Sequence, residues 1–362
     1  MVKIVDVARA AGVSPATVSR ALNNHPTVGP EYAQRVRAAA AQLGYRPNSV
    51  ARNLRRQQTD LITLIIPDVS NFFCTLITRG VEDVAREAGI SVLLCNSDED
   101  RAKEAKYLAV AEQERVAGVI LSPHDESADI SLLEAAGIPV VAVDRPLGAR
   151  IDYVASDSFA GAVIATQHLL DQGWQRPGCC GGPEDVETAQ RRVAGYRAAL
   201  KDLGVEHRVA FGAYDQEGGA RAAGALLDGA DPPDALLVSN ERMALGVLSE
   251  LSTRGIRPGI DIGVLTFDDT PWAPLMDPPM TVIEQPAYEI GARAARILID
   301  RIRNGPEFEV RHVELPTRLI VRRSSLRSQY QEETSHVAPP SSRVRWTATM
   351  MPPSHSMMRT RD

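Results

Sequence analysis

What the chain lacks narrows its function first. No run of apolar residues is long enough to cross a bilayer. The first residues show no charged-then-apolar leader pattern, because Asp6 and Arg9 interrupt it, so a cytoplasmic protein is expected. Only four cysteines occur, Cys74, Cys95, Cys179 and Cys180. They have no metal-ligand or CxxC spacing, and adjacent cysteines are poorly placed to form a bridge, which fits a reducing compartment. Catalytic signatures are missing as well: no GxSxG, no GxxxxGK(S/T), no HExxH and no GxGxxG after a strand. The seven histidines are scattered. With no nucleophile–base pair, metal site or cofactor motif, neither an enzyme nor a bound cofactor is expected. Residues 327–362 lack hydrophobic periodicity and are rich in Ser, Pro, Met and Thr, the composition of a disordered tail.

What is present is unevenly distributed. A chain of 362 residues, 44% hydrophobic and 24% charged, is a globular protein too long for one core and implies two or three domains. Residues 1–58 carry nine Lys/Arg against Asp6 and Glu31, a net charge of +7; the whole chain is −6, so residues 59–362 come to −13. A basic head on an acidic body confines attraction for polyanions to the head and keeps the body off phosphates. Basic termini also serve as solubility tails, but this one is helical in pattern and rich in apolar residues.

Residues 4–22, IVDVARAAGVSPATVSRAL, read as two short helices joined by a tight turn. Ile4, Val7, Ala8 and Ala11 recur at helical spacing. Gly12 can take the left-handed conformation that ends a helix, Ser14 is a good N-cap, and Pro15 sits at the first helical position. Val18 and Leu22 turn inward, while Ala16, Thr17, Ser19 and Arg20 face outward. This is the layout of a helix-turn-helix whose second helix reads the major groove; an ordinary helical hairpin with solvated polar faces has the same pattern. A third helix is expected from about Pro30 to Leu43, with Val36, Ala40 and Leu43 inside, Gly44 ending it and Tyr45 closing a core near the lower size limit for folding alone. Residues 46–59, RPNSVARNLRRQQT, place Val50, Ala51 and Leu54 on one face among Arg52, Arg55 and Arg56. They form either a plain linker or a helix that folds only on DNA, being too short to persist in water.

From Leu61 strands and helices alternate. Strands are expected at 61–67, 91–95, 118–122 and 139–144, with helices ending near Ala88 and spanning 101–116 and 128–136. After Ser156 the pattern restarts, with helices at 158–172, 188–203, 216–228 and 241–254 between strands near 178–181, 209–213, 235–239 and 262–267. Two such runs predict two doubly wound parallel sheets. Helix 287–303 and strands near 310–321 complete the pattern and are able to return to the first lobe.

DVARAAGVSPATVSRALN, LGYRPNSVARNL, LIIPDVSNFF, VDRP, SNERMALG and FDD with TVIEQPAYEIG, in this order and spacing over residues 4 to about 323, resemble the LacI/GalR family of bacterial transcription regulators. The resemblance implies a small all-α helix-turn-helix domain (1–46), a hinge helix and linker (47–60), and a periplasmic-binding-protein-like body of type I (61–326). The α/β body would be two doubly wound parallel-sheet lobes, about 61–157 plus 289–318 and about 158–288 plus 319–326. It also implies a homodimer on a pseudo-palindromic operator in double-stranded DNA, usually a repressor, controlled by a small-molecule effector held between the lobes. No membrane is involved. A sugar-binding receptor without a regulatory role would share the body but not the basic head.

Mapped by motif, the resemblance puts DNA contacts at Ser14, Pro15, Ala16, Thr17, Arg20 and Asn23. Pro15 and Ala16 offer only apolar contact, for instance to a thymine methyl, and Arg20 suits a guanine edge or a phosphate. Ala51, Leu54 and Arg55 fall on the hinge helix, where Leu54 of both subunits would wedge into a base step from the minor groove. The effector site is implied at Asn71, Phe73, Asp144 and Arg145 of the first lobe, Arg192, Tyr214, Asn240 and Asp268 of the second, and Gln285 where the chain crosses back. Carboxylates, amides and arginines together suit a polyol, whose hydroxyls both donate and accept. Taken singly, Asp144 and Asp268 at strand ends read as helix caps or salt-bridge partners. The chain departs from the family pattern at Lys3 (for a capping Thr), Phe72 (for Pro), Cys74 (for an aromatic), Pro177 and Gly178 (inside a strand) and Glu241 (for Asp). A pentose or hexose is expected as effector, ahead of a nucleobase or a phosphorylated sugar.

Overall fold

The computed structural model describes residues 2–22, 27–45, 59–201, 203–305 and 309–327. Asn23, the hinge positions Ala51, Leu54 and Arg55, and residues 328–362 of the expected tail lie outside the described residues.

The head consists of α1 (Ile4–Ala11), α2 (Pro15–Leu22) and α3 (Pro30–Gln42). Gly12, at φ 65°, turns the chain after α1, and the Val13 N–H donates back to Ala8 O at 3.0 Å. The core is Val7, Ala8, Ala11, Val18, Ala21, Val36 and Ala40. One expected inner position moves. Leu22 packs against the core half-buried, and Ala21 is buried with Val18 beside it. Leu43 falls beyond the last turn of α3 and is 38% exposed, with Ala33 and Ala39 buried instead. Arg35 supplies a contact that the sequence pattern does not reveal. Its Nη2 donates to Ala11 O at 2.7 Å, satisfying a carbonyl that the end of α1 leaves unpaired.

The body runs β1 (Leu61–Ile66), α4 (Phe72–Glu87), β2 (Ser91–Asn96), α5 (Arg101–Gln113), β3 (Gly118–Leu121), α6 (Ser131–Ala135), β4 (Val140–Val143) and β5 (Asp152–Ser156). It then crosses to α7 (Ser158–Asp171), β6 (Pro177–Gly181), α8 (Glu187–Leu200), β7 (Arg208–Phe211), α9 (Gln216–Leu227), β8 (Ala235–Val238), α10 (Glu241–Thr253), β9 (Gly263–Phe267) and β10 (Thr281–Glu284). Last come α11 (Ala287–Asn304), β11 (His312–Leu315) and β12 (Arg318–Ile320). The first sheet has the order β11-β5-β4-β3-β1-β2 and is wholly parallel. The second repeats that order as β12-β10-β9-β8-β6-β7, with only β12 antiparallel. Thus β11 returns to the first lobe, whereas β12, beginning at Arg318, belongs to the second. Strands β5 and β10 escape the sequence reading because no helix of the alternating pattern precedes either of them.

Both sheets are covered on two faces, which is why their strands read as continuous apolar runs. In β1, Ile62, Leu64 and Ile66 pack on one face and Ile65 on the other. The expected interruption in β6 is no interruption. Pro177 is its first residue, where proline is tolerated, and a Cβ on Gly178 would lie 3.0 Å from the Pro233 ring. Cys179 and Cys180 pack on opposite faces, fully buried. Burial pushes the Cys179 thiol up to about 12, so it acts as an apolar filler.

The returning helix α11 is fastened to the first lobe by backbone contact with α4. A Cβ on Gly80 would stand 2.1 Å from Tyr288 O, and one on Gly291 2.1 Å from Ile77 O. Buried Arg301 on α11 adds a two-pronged bond to Asp152 of β5, Nε–Oδ2 2.7 Å and Nη2–Oδ1 2.8 Å. Three chain crossings, after β5, β10 and β11, therefore link the lobes at the ends of their strands, where a doubly wound fold carries its ligands.

Candidate functional site

A polar cavity of about 400 Å³ lies between the lobes, and all nine residues named for the effector line it. Helix starts and strand ends converge there. Asn71 and Asn240 cap α4 and α10: Asn71 Oδ1 accepts the Phe73 N–H at 2.8 Å, and Asn240 Oδ1 accepts the Met243 N–H at 2.9 Å. Each carbonyl is thus engaged in capping, and the amide N–H₂ is what each can offer a ligand.

On the first-lobe side Asp144 follows β4 with a left-handed backbone, φ 65°, and is buried. Arg145 beside it is buried as well, but its guanidinium points to Glu99, with Nη1–Oε2 at 2.8 Å and Nη2–Oε1 at 2.7 Å. That leaves Arg145 Nε without a hydrogen-bond partner, 3.7 Å from Asp144 Oδ2 and beyond bonding reach. Burial holds the Asp144 carboxyl above the usual carboxylate range, with Arg145 and Arg192 pulling it back. Cys74 also lines the cavity, its thiol pushed up by burial and by Asp144.

The second-lobe side is more tightly wired. Arg192 on α8 is 4% exposed; Nη1 donates to Ser239 O at 2.6 Å, Nε to Ser158 Oγ at 3.3 Å and Nη2 to Gln285 Oε1 at 3.2 Å. Its guanidinium stacks 4.2 Å from the Phe267 ring centroid, a desolvated cation–π contact. Gln285, at the second chain crossing, also accepts Ser156 Oγ–H from the first lobe and donates Nε2–H to Asp268 Oδ1 at 2.6 Å. Asp268 follows β9 with φ 76°. Tyr214 presses its ring on Gly182, where a Cβ would lie 2.3 Å from Cε1, and its hydroxyl is 3.2 Å from Thr188 Oγ1.

The sequence reading did not name Asp98, Glu99, Thr188 or Arg242, which also line the cavity. Arg242 spans its mouth, bonded to Ser70 Oγ and 3.4 Å from Asp68 Oδ2 of the first lobe. The signal for Asp98 and Glu99 is the acidic run after β2. Four of the five non-glycine residues with a left-handed backbone among the described residues, Asp98, Glu99, Asp144 and Asp268, line this one cavity. Backbone strain gathers where geometry is held for a purpose.

At the other end of the chain, Ser14 Oγ accepts the Thr17 N–H at 3.1 Å and lies 2.9 Å from Thr17 Oγ1, fixing the start of α2. Ser14, Pro15, Ala16 and Arg20 are exposed on this helix, and Thr17 and Ser19 half-buried. Lys3 has no acceptor to cap α1, and Asp6 Oδ2 takes the Lys3 N–H at 2.9 Å instead. Among the described residues no group of three or more His, Cys, Asp and Glu is arranged to hold a metal ion, and no helix is long and apolar enough to cross a membrane.

Comparison with known proteins places both halves. Residues 3–48 match the model of bacterial regulatory proteins of the lacI family, and residues 166–325 match a periplasmic binding protein-like domain. The ribose operon repressor of Halalkalibacterium halodurans is 38% identical over 329 residues, covering 90% of this chain and 97% of that protein. A lac repressor dimer bound to operator and an anti-inducer is 27% identical with a TM-score of 0.80, over 90% of this chain and 99% of that one. A LacI-family regulator from Enterococcus faecium with bound ribose is 27% identical with a TM-score of 0.66, over 73% and 98%. Such relatives are repressors and regulators rather than enzymes. With a helix-turn-helix head and a two-lobed body joined in one chain, this protein belongs to the lacI family of bacterial regulatory proteins, DNA-binding regulators controlled by a small ligand.

Proposed function

We propose that the protein is a cytoplasmic repressor that binds a pseudo-palindromic operator as a homodimer and is controlled by a single neutral sugar ring, with ribose the first candidate. The observation that carries the effector reading is the buried Asp144 carboxyl at the cavity, 3.7 Å from Arg145 Nε and not hydrogen-bonded to it. Buried polar groups in native proteins find partners, and a sugar hydroxyl can donate to that carboxylate. A volume near 400 Å³ lies at the small end of ligand cavities, roughly 300–1,000 Å³, which suits one ring rather than two. A phosphate is disfavoured because the arginines are already engaged: Arg145 with Glu99, Arg242 with Asp68, and Arg192 with Ser239, Ser158 and Gln285. The ribose named in the relatives above supports the same choice.

In this reading residues 1–46 are the DNA-binding domain, 47–60 the hinge and 61–326 the effector-binding and dimerisation body. Ser14, Pro15, Ala16, Thr17, Arg20, Asn23, Ala51, Leu54 and Arg55 contact DNA. Asn71, Phe73, Asp144, Arg145, Arg192, Tyr214, Asn240, Asp268 and Gln285 hold the effector. Effector and operator then alter each other's affinity by one common factor, typically about 1–3 kcal/mol. Thermal unfolding with D-ribose, D-glucose, ribose 5-phosphate and adenine tests the ligand. At a hundredfold excess over Kd, ribose should stabilise the protein by about 2.7 kcal/mol and change a gel shift on the gene's own upstream DNA. Stabilisation by adenine or the phosphate alone would overturn the sugar assignment.

A further inference from the structure

Glu241 is the first residue of α10 and stands beside the cavity-lining Asn240, yet its side chain turns inward, 4% exposed as a residue. Oε1 accepts the Phe72 N–H of the first lobe at 3.3 Å, while Oε2 is buried with no hydrogen-bond partner. The Asp268 carboxyl lies within hydrogen-bond reach of Glu241. The other charges facing this pair are Arg192 from α8 and Asp144 from the first lobe. Arg192 is held by Ser239 O, Ser158 and Gln285, and the neighbouring Arg242 is turned outward to Ser70 and Asp68. Among the described residues no Lys, Arg or His forms a salt bridge with either carboxyl of the pair. Two ionised carboxylates in contact away from water repel each other and forfeit their solvation. One proton resolves both problems, because on Oε2 it provides the donor that the orphaned atom needs and Asp268 is the acceptor.

We propose that Glu241 and Asp268 share one proton carried by Glu241, which makes Glu241 a positioning residue for the effector. The protonated carboxyl holds the Asp268 carboxylate in place at the cleft, and its other oxygen keeps Phe72 and the first lobe docked. The second half of this rests on the reading of the cleft as the effector site; the shared proton does not. Burial and the Asp268 charge raise Glu241 to about 7, so the device operates at neutral pH. Losing the proton puts two charges side by side between the lobes and loosens their contact.

Glu241→Gln keeps a donor toward Asp268 and has no proton to lose. A group whose folded pKa is raised gives stability that is whole below its unfolded value, 4.5, and lost as pH climbs to the folded one. In ligand-free thermal unfolding, the wild-type Tm should therefore fall relative to E241Q between pH 5 and 7 and then level off. By calorimetry with D-ribose, wild-type affinity should drop up to about tenfold per pH unit above 7, the course of one linked proton, while E241Q stays flat. Should E241Q not fold, Asp268→Asn makes the same test, since removing the second charge moves the Tm step to lower pH. Superimposable Tm profiles, or one common pH course for ribose, would overturn the proposal. Diverging Tm profiles with no ribose binding in either protein would support the shared proton and count against ribose instead.

Discussion

The two lobes share one plan, and their ligand-facing edges use it differently. Asp144 and Asp268 each follow the fourth strand of their lobe, each with a left-handed backbone. Each then donates its N–H to the fifth strand, Asp144 to Val154 O at 3.0 Å and Asp268 to Ile283 O at 2.9 Å. The backbone device is repeated, but the side-chain wiring is not. The residue after Asp144 is Arg145, buried at the cavity, whereas the residue after Asp268 is Asp269, bonded away from it to Arg322 at 2.8 and 2.9 Å. The second lobe draws its guanidinium from helix α8 and stacks it on Phe267. The same strained turn thus brings a carboxylate to the cavity in both lobes while the partners around it differ. Asp144 has only Arg145 Nε nearby at 3.7 Å, whereas Asp268 is bonded to Gln285.

The sharpest way to break this contrast is Arg192→Ala. The guanidinium organises the second lobe's half of the cavity, so its loss should cost about a hundredfold in ribose affinity, close to 2.7 kcal/mol for charge-assisted hydrogen bonds in a buried site. Calorimetry measures the loss. Operator binding without sugar, followed by gel shift, should stay near wild type because the head is untouched. A variant that still binds ribose normally would make the second lobe a mere wall.

Much of this was legible in the residues, and the misses have physical causes. The nine cavity positions came from the family resemblance, and four of them, Asp144, Arg145, Asn240 and Asp268 of VDRP, SNERM and FDD, sit at strand ends and helix starts, where topology sends side chains to the cleft. Asp98 and Glu99 were not named: the acidic run after β2 marks them, but their role depends on a left-handed loop that brings Glu99 to Arg145. Strands β5 and β10 were hidden by the absence of an expected helix before them. Leu43 was placed inside on helical spacing alone, but α3 ends one residue before it, whereas Leu22, the last residue of α2, does pack against the core, half-buried. Glu241 stood out as a departure, but its partnership with Asp268 requires a fold that brings residues of two strand ends together.

Asp144→Asn tests whether the less engaged carboxyl carries a cost. Asn tolerates the left-handed backbone as Asp does, so the change removes a buried charge and little else. Because burial raises the folded pKa of Asp144, the wild type loses stability as pH rises, and the variant should be the more stable by about 1 kcal/mol, a Tm gain of roughly 2–4 °C, larger at pH 8 than at pH 5. Ribose affinity should fall about tenfold at the same time, the exchange of stability for function expected at a binding site. Asp268→Asn should gain less, because burial raises Asp268 too but Gln285 Nε2 donates to Asp268 Oδ1 at 2.6 Å and loses a charged acceptor. Equal gains at both positions would erase the distinction between the lobes.

The smallest effect belongs to the contact that joins the two halves at the rim. Arg242 reaches Ser70 and Asp68 across the cavity mouth, but its side chain is 33% exposed and that of Asp68 34%, where water and salt screen the attraction. Pairs of this kind are worth about 0.2–1 kcal/mol, so Arg242→Ala should lower ribose affinity by no more than about fivefold. The loss should appear mainly as faster dissociation in stopped-flow measurements, because a rim contact holds the closed cleft rather than building the site. It should also shrink as salt is raised, since added ions already weaken the wild-type pair. A loss as large as that of Arg192→Ala, or one indifferent to salt, would make Arg242 part of the binding surface itself and move the boundary between the lobes' roles to the rim.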